Sequence, residues 1–476
     1  MNLFLRSTSY FLWTVIIIQF SCKKEYAVNK PPIAVAGPDQ SITLPSDSVS
    51  LDGSSSKDPD GKISVWHWTK ISGPSTPPIV RPYDSKLTVK FIATGAYQFE
   101  LKVTDNNGLS ANDTIRIIVA PAVNLPDPCS AGRSTINVQL VPVGKLSGPK
   151  ENIAIAAAGN KIVFAGGWDG SESVSTVDIY DIVTSAWSTT QLSTARNNLA
   201  VTTCSNKIFF GGGAYNTDYS GPYLKKNVDI YDASTNTWSV DSLSAARNGL
   251  TATSVGNKVI FAGGNSPNYS YYFSNIVDIY DLTTKTWSTA SLSEGRAYLS
   301  AVTVNNKIYF AGGENGFLTI SNRVDIYDNA TSSWSVTSMS EPKTRMANIA
   351  FGNKIYWAGG ANSFSQSLKP SGMVEVYDVF AKTSSMACLS HPDMWNPQGV
   401  AEVNGKLVFF AGYGFSGAIN RIDIYDVATN TWSIGLLNQN LYNCSIISVN
   451  NTIYIAGGST SQTTGTLSDQ VWKLVF

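Results

Sequence analysis

Between residues 31 and 120 apolar and polar side chains alternate in short runs. The clearest are Val49-Ser50-Leu51, Ser64-Val65-Trp66-His67-Trp68, Leu87-Thr88-Val89-Lys90-Phe91, Tyr97 to Val103 and Thr114 to Val119. A period of two sends one face of each strand into a core. Turn residues separate the runs, so the segment is expected to be a small β-sandwich. From residue 134 the pattern changes. Runs such as Lys207-Ile208-Phe209-Phe210 and Lys258-Val259-Ile260-Phe261-Ala262 lack polar alternation and end in Gly-Gly. Strands of that kind are buried on both faces.

These runs recur. The first glycine of each pair is Gly166, Gly212, Gly263, Gly312, Gly359, Gly412 and Gly457, at steps of 46, 51, 49, 47, 53 and 45 residues. Each is followed by a variable loop, a Val-Asp-Ile-Tyr-Asp strand, a Thr-x-Thr-Trp-Ser strand and Leu-Ser-x-x-Arg. Tyr-Asp pairs stand at Tyr180-Asp181, Tyr231-Asp232, Tyr280-Asp281, Tyr327-Asp328, Tyr377-Asp378 and Tyr425-Asp426, and the tryptophans are Trp187, Trp238, Trp287, Trp334 and Trp432. A diglycine repeat of about 50 residues resembles the kelch family, in which each repeat is one blade of a β-propeller. The fifth repeat departs with Ser384 in place of tryptophan, and the sixth with Tyr413 in place of the second glycine. The seventh repeat stops after three strands at Phe476, so the run Ile136 to Val143 is expected to supply its fourth strand and close the ring.

The sandwich segment resembles the PKD family, an Ig-like module. The resemblance rests on Leu51-Asp52-Gly53-Ser54-Ser55-Ser56-Lys57-Asp58-Pro59-Asp60-Gly61, Trp66-His67-Trp68, Gly95-Ala96-Tyr97 and Val103-Thr104-Asp105-Asn106-Asn107-Gly108. Asp58, Asp60 and Asp105 admit a calcium reading, but Asp-Pro-Asp-Gly and Asp-Asn-Asn-Gly are first of all turn formers. The expected fold class is therefore all-β, a seven-bladed kelch-type propeller over 134–476 preceded by a PKD-like sandwich over 31–120, with 121–133 as linker.

The N-terminus has the character of an address. One charge, Arg6, precedes the apolar run Phe11 to Ile18, which is short for a membrane span and fits a secretory signal. The run ends in Gln19-Phe20-Ser21-Cys22, which resembles the lipobox of bacterial lipoproteins apart from Gln19. The resemblance implies a signal peptide over 1–21, lipid on Cys22 as membrane anchor, and a tether over 22–30. Lys23-Lys24-Glu25 lacks the Asp of an inner-membrane retention signal. An outer-membrane lipoprotein, periplasmic or surface-exposed, is expected.

Charge narrows the function classes. Lys+Arg and Asp+Glu are both 34, and charged residues are 14% of the chain. No basic footprint for nucleic acid is present. Cys22, Cys129, Cys204, Cys388 and Cys444 show no CxxC pairing, so neither a disulfide framework nor a zinc site is expected; the sequence leaves open whether any of the last four pair, with free buried thiols as the first reading. The two histidines, His67 and His391, are too few for the two-His, two-Tyr copper site of galactose-oxidase-like propellers. No cofactor, metal or catalytic set is called for.

Strand direction puts the loop after each diglycine and the connection between repeats on one face, and the Asp-x-Thr-x-Thr turns on the other. The first face holds Trp168, Tyr215, Tyr271, Tyr272 and Tyr413, with Arg196, Arg247, Arg296 and Arg345 between repeats. Aromatics and arginine anchor interfaces. This face is the candidate surface for a glycan or a protein, and the other face reads as plain surface. A second reading has the arginines bonding backbone carbonyls between blades. The enzymatic alternative, a sugar-acting kelch enzyme such as a sialic-acid mutarotase, would draw on Arg196, Arg247, Arg296, Glu314 and Glu402. A purely structural spacer would bind nothing.

Overall fold

The computed structural model describes residues 28–43, 48–74, 79, 81–90, 95–120, 129, 132–215, 223–266, 273–316, 319–364, 368–390, 394–396, 399–410, 413–414, 420–459 and 466–476. Cys22 and the apolar run before it lie outside the described residues, as do Tyr271, Tyr272 and His391. Every regular element among the described residues is a β-strand. The chain divides into two compact units, Met1–Pro126 and Asp127–Phe476.

The first unit is a sandwich of two sheets. Four strands pair in the order Gln40–Thr43, Ser110–Ala120, Gly95–Asp105 and Ile63–Ser72, the first pair parallel, while Ser48–Asp52 pairs with Lys86–Lys90. Alternation is literal: Tyr97, Phe99, Leu101 and Val103 are all buried, and they pack on Leu51, Trp68, Leu87, Val89, Ile115 and Ile117. Each such side chain contributes about 1.5–3 kcal/mol of burial. Asp105 organises a turn. Its Oδ1 accepts the N–H groups of Asn107 at 2.8 Å and Leu109 at 3.0 Å, and Oδ2 accepts Asn29 Nδ2 at 2.8 Å. Burial opposes ionisation here, and these donors outweigh it to hold the carboxyl below its ordinary range.

In the second unit strands follow one another in groups of four. Five groups are separate sheets, and an eight-stranded sheet contains two more, counted among the described residues. Each group reads inner strand, diglycine strand, Tyr-Asp strand, outer strand. The diglycine strands are buried along almost their whole length, as their unbroken apolar runs require. The inner strands touch in cyclic order, and Ser445–Val449 of the seventh group meets Ala154–Ala158 of the first, which closes the ring. Hydroxyls tie neighbouring inner strands: Thr203 donates to Ala157 O at 3.0 Å, Ser254 to Thr203 O at 2.8 Å, and Thr303 to Ser254 O at 2.8 Å. Outside, Trp and Tyr pack as pairs, with Tyr231 and Trp238 ring centres 5.0 Å apart.

The strand Ser134–Lys145 completes the last blade. Residues 139–145 run antiparallel to Gln470–Val475, while residues 134–138 run parallel to Thr431–Leu437 of blade six. The same strand therefore joins two blades into one sheet. Cys129, just before it, is bonded to Cys388 at the end of blade five's outer strand, with Cα atoms 5.3 Å apart. This corrects the free-thiol reading for two of the four cysteines whose pairing the sequence leaves open. Cys204 and Cys444 are free and buried. Cys129, Gly132 and Arg133, which fall in the stretch read from sequence as linker, cluster with the second unit.

Candidate ligand-binding face at the channel mouth

The connection between blades carries a cation in a fixed slot, four residues after a buried Leu or Met. The occupants are Lys150, Arg196, Arg247, Arg296 and Lys343. Each is fully or almost fully buried. Arg196 donates to Gly212 O at 2.8 Å, to Asn227 O at 2.7 Å and to the carboxylate of Asp229. Arg247 repeats this with Gly263 O, Ile276 O and Asp278, and Arg296 with Gly312 O, Arg323 O and Asp325. Lys150 pairs with Asp178 at 2.9 Å. Burial pulls all five cations below their ordinary pKa, and for the four whose Asp partner is named the pair resists the shift, as Glu341 does for Lys343. The slot backbone also ties to the preceding blade: Gly213 N–H donates to Arg247 O at 2.9 Å. A Cβ at Gly212, at φ +67°, would stand 2.6 Å from Arg247 O, so the diglycine allows this close approach.

Arg196, Arg247 and Arg296 are thus removed from the candidate face. They do not ring the channel mouth; their guanidiniums bond backbone carbonyls and a buried aspartate. Arg345 differs. The slot residue of its blade is Lys343, and Arg345 lies two residues on, half-buried, at φ +57°.

Position two after the slot defines an arc. Outside blade six, where Trp395 of the strand Met394–Asn396 holds the position, its members are Asn152, Asn198, Gly249, Tyr298, Arg345 and Asn443, all at φ between +49° and +60°. Asn and Gly tolerate this left-handed backbone, whereas Tyr and Arg are held there at a cost. Tyr298 N–H donates to Gly249 O at 2.8 Å, and Arg345 N–H to Tyr298 O at 3.0 Å. The Arg345 guanidinium lies 3.9 Å from the Tyr298 ring centre, a cation–π contact worth about 0.5–2 kcal/mol. Its Nε donates to Glu314 Oε1 at 3.0 Å. Among the described residues its terminal nitrogens have no hydrogen-bond acceptor. Across the arc, Asn443 Nδ2 donates to Glu151 Oε2 at 3.0 Å. Asn152 and Asn443 also line a cavity of about 290 Å³ whose walls are Ile153, Ile155, Leu199, Val201 and Ile446. Amide and hydroxyl groups, with Ser445 among them, therefore share this cavity with aliphatic side chains.

The other candidates lie in the loops. Trp168 bridges by backbone to Glu151 and Ser173. Tyr215 OH donates to Glu172 Oε2 at 2.8 Å, and that bond pushes the phenol pKa up. Tyr413 sits in the two-residue strand Tyr413–Gly414 opposite Met394–Asn396. Of the enzymatic candidates, Glu314 faces Arg345, whereas Glu402 lies in an inner strand and accepts Gly405 N–H in the turn that follows it. Among the described residues no cluster of His, Cys, Asp and Glu is arranged to hold a metal. Tyr298 was missed in the sequence. Its signal is position, since it and Arg345 stand where four other repeats carry Asn or Gly.

Family models match both units: a PKD domain of the KIAA0319-like type over residues 36–119, and the kelch motif over 150–190, 295–338 and 394–435. The chain carries a PKD domain of that type and kelch motifs. Among curated relatives, the human Dyslexia-associated protein KIAA0319 is 40% identical over 104 residues, 22% of this chain and 10% of that protein. Mouse Low-density lipoprotein receptor-related protein 11 is 36% identical over 107 residues, 22% of each chain. Collagenase ColA of Clostridium perfringens (strain 13 / Type A) is 38% identical over 81 residues, 17% of this chain and 7% of that one. The chain thus spans about a tenth of the length of the KIAA0319 relatives. The solved structure of YjhT aligns with 70% of this chain and 96% of its own, at 15% identity and a TM-score of 0.43. The kelch reading here rests on the motif matches and the strand order.

Proposed function

We propose that this is an exported binding protein whose kelch propeller holds a glycan at the channel mouth, with the PKD domain as its companion module. The observation that carries the reading is the Tyr298–Arg345 pair. Two bulky residues occupy left-handed backbone where four other repeats carry Asn or Gly, and the guanidinium lies over the phenol ring beside Glu314. Strain of this kind concentrates at functional sites. Amide, carboxylate and guanidinium groups along the arc suit a ligand with many hydroxyls. The Cys129–Cys388 disulfide supports an oxidising, extracytoplasmic location. Lipid on Cys22 remains part of the proposal, and labelled palmitate that still incorporates into Cys22→Ala would remove it.

The test is a glycan array with a pulldown in parallel. Arg345→Asn and Tyr298→Asn install the residue that Asn152 and Asn198 already show to fit this backbone. Loss of glycan signal in both folded variants is the expected result. Unchanged glycan binding in both refutes the site, and protein capture without glycan signal assigns the mouth to a protein partner. Anomer exchange of free sugars by NMR, if accelerated, moves the assignment to the sugar-acting alternative.

A further inference from the structure

The face opposite the mouth holds a second cavity that the repeat pattern does not call for. It has a volume of about 330 Å³ and lies between blades three and four. One departure from the repeat and one small side chain stand at it. In blades one, two, four and six the lysine that opens the diglycine strand pairs with the aspartate of its own Tyr-Asp: Lys161 with Asp181, Lys207 with Asp232, Lys307 with Asp328, Lys406 with Asp426. In blade three Lys258 turns away. Its Nζ donates to Tyr327 OH of blade four at 2.8 Å and lies 5.4 Å from that ring's centre. Asp281 is left to the backbone N–H groups of Thr283 and Thr284.

The tryptophan wall is open because the acid that caps an indole in blade two is particular to that blade: the equivalent positions in blades one and three to six are Thr190, Ala290, Thr337, Ala387 and Gly435. Between blades two and three, Asp241 on the outer strand accepts Trp287 Nε1–H at 2.8 Å. Asp241 stands opposite Val228, and Ala290 stands opposite Val277 in the same register one blade later. Ala290 cannot reach Trp334 as Asp241 reaches Trp287. Among the described residues Trp334 Nε1–H has no acceptor, and both Trp334 and Ala290 line the cavity.

We propose that this groove is a binding site for a neutral sugar ring of monosaccharide size. The volume falls at the lower end of small-ligand pockets. Lys258 and Asp281 offer one charge of each sign, which favours a ligand without net charge. Thr286, Ser288 and Ser332 add hydroxyls that both donate and accept. The indole supplies an apolar wall and a waiting donor, the amphipathic surface that a sugar hydroxyl and its ring face both need. The site is separate from the mouth and does not rest on the function proposed for it.

D-glucose, D-galactose and N-acetyl-D-glucosamine serve as probes, each titrated into the full chain while the Trp334 indole N–H is followed by NMR, assigned by its loss in Trp334→Phe. A saturable shift with a dissociation constant on the order of millimolar is expected for at least one sugar. Ala290→Asp reproduces the blade-two arrangement, fills the groove and caps the indole, and should weaken that sugar at least about tenfold. Lys258→Met should weaken it as well, while Arg345→Asn at the mouth leaves it unchanged. If none of the three sugars moves the indole signal, or if Ala290→Asp folds and binds equally well, the proposal is overturned. Should Ala290→Asp fail to fold, undiminished binding in Lys258→Met overturns it too.

Discussion

Arg133 offers the sharpest test of how the propeller is held together. In blades one to four the buried aspartate of the Tyr-Asp strand receives its cation from the slot just before that blade. In blade six the sequence places Asp393, an acid, at the slot position. The cation instead comes from Arg133, about 290 residues away: Nη1 donates to Asp423 Oδ1 at 2.5 Å and Nη2 to Cys388 O at 2.6 Å. The guanidinium also lies 4.7 Å from the Trp432 ring centre. Both side chains are buried, at 7% and 4% exposure. Removing one partner of a buried pair costs about 3–5 kcal/mol because the other charge is stranded. Asp423 keeps the Ser390 N–H and hydroxyl, at 3.0 and 3.1 Å, so the lower end applies. Arg133→Met, which retains the apolar stem, should therefore cost about 3 kcal/mol, measured by urea denaturation with tryptophan fluorescence. In an Asp423→Asn background the same change should cost about 1 kcal/mol, a coupling of about 2 kcal/mol. Equal costs in the two backgrounds would refute the claim that Arg133 serves as blade six's slot cation.

Other consequences are open to measurement. Breaking Cys129–Cys388, by reductant or by changing both residues to Ala, frees a loop of 259 residues and should cost about 2–5 kcal/mol, read as a lower urea midpoint; an unchanged midpoint would show that strand pairing alone closes the ring. Burial pushes the Cys444 thiol from 9.0 up to about 12 and the Tyr309 and Tyr356 phenols from 10.0 up to about 12. Their protonated forms are favoured in the folded state, so that share of stability is complete below about pH 9 and is lost as pH rises towards 12; a urea midpoint flat across that window contradicts the assignment. For the same reason native Cys444 should resist iodoacetamide at about pH 8 and react once the chain unfolds. Gly249→Ala places a Cβ 2.9 Å from the Tyr298 ring at φ +60°, and should cost about 1–2 kcal/mol in thermal or urea unfolding while weakening any mouth ligand.

Much of the architecture was legible because it is periodic. Alternation at Tyr97 to Val103 marked a one-faced strand, and unbroken runs such as Lys207 to Phe210 marked strands buried on both faces. The seventh repeat's missing strand pointed to the run after Ile136. Of the two readings the arginines admit, Arg196, Arg247 and Arg296 follow the one in which they bond backbone carbonyls; a linear pattern gives a position before the inner strand, not the direction of a side chain. Arg345 was grouped with Arg196, Arg247 and Arg296, although the residue four after Met339 is Lys343. The disulfide was invisible for another reason. Cys129 and Cys388 share no spacing rule, and their meeting depends on the linker returning beside blades five and six.

The slot itself carried a readable signal in the pairing of types across a repeat. Each of Lys150, Arg196, Arg247 and Arg296 precedes a blade with Asp in Val-Asp-Ile-Tyr, and Lys343 precedes one with Glu375, whose carboxylate also accepts the hydroxyl of Ser384, the serine that replaces tryptophan. In the seventh blade both partners change together: Leu441 occupies the slot and Trp472 the acid position, and the two sit in one apolar cluster. A buried ion pair can give way to apolar residues at little cost, but only if both members change. Blade six changed only one, and the chain compensates from outside the repeat with Arg133. The same logic locates candidate function. Departures that are compensated, as at Asp423, concern stability. The departures at Tyr298 with Arg345, and at Lys258 beside Ala290, leave an indole N–H and guanidinium nitrogens without a protein acceptor among the described residues, facing a polar mouth in one case and a cavity in the other. The two binding proposals are placed there because these polar groups stand at a mouth and at a cavity rather than inside a blade.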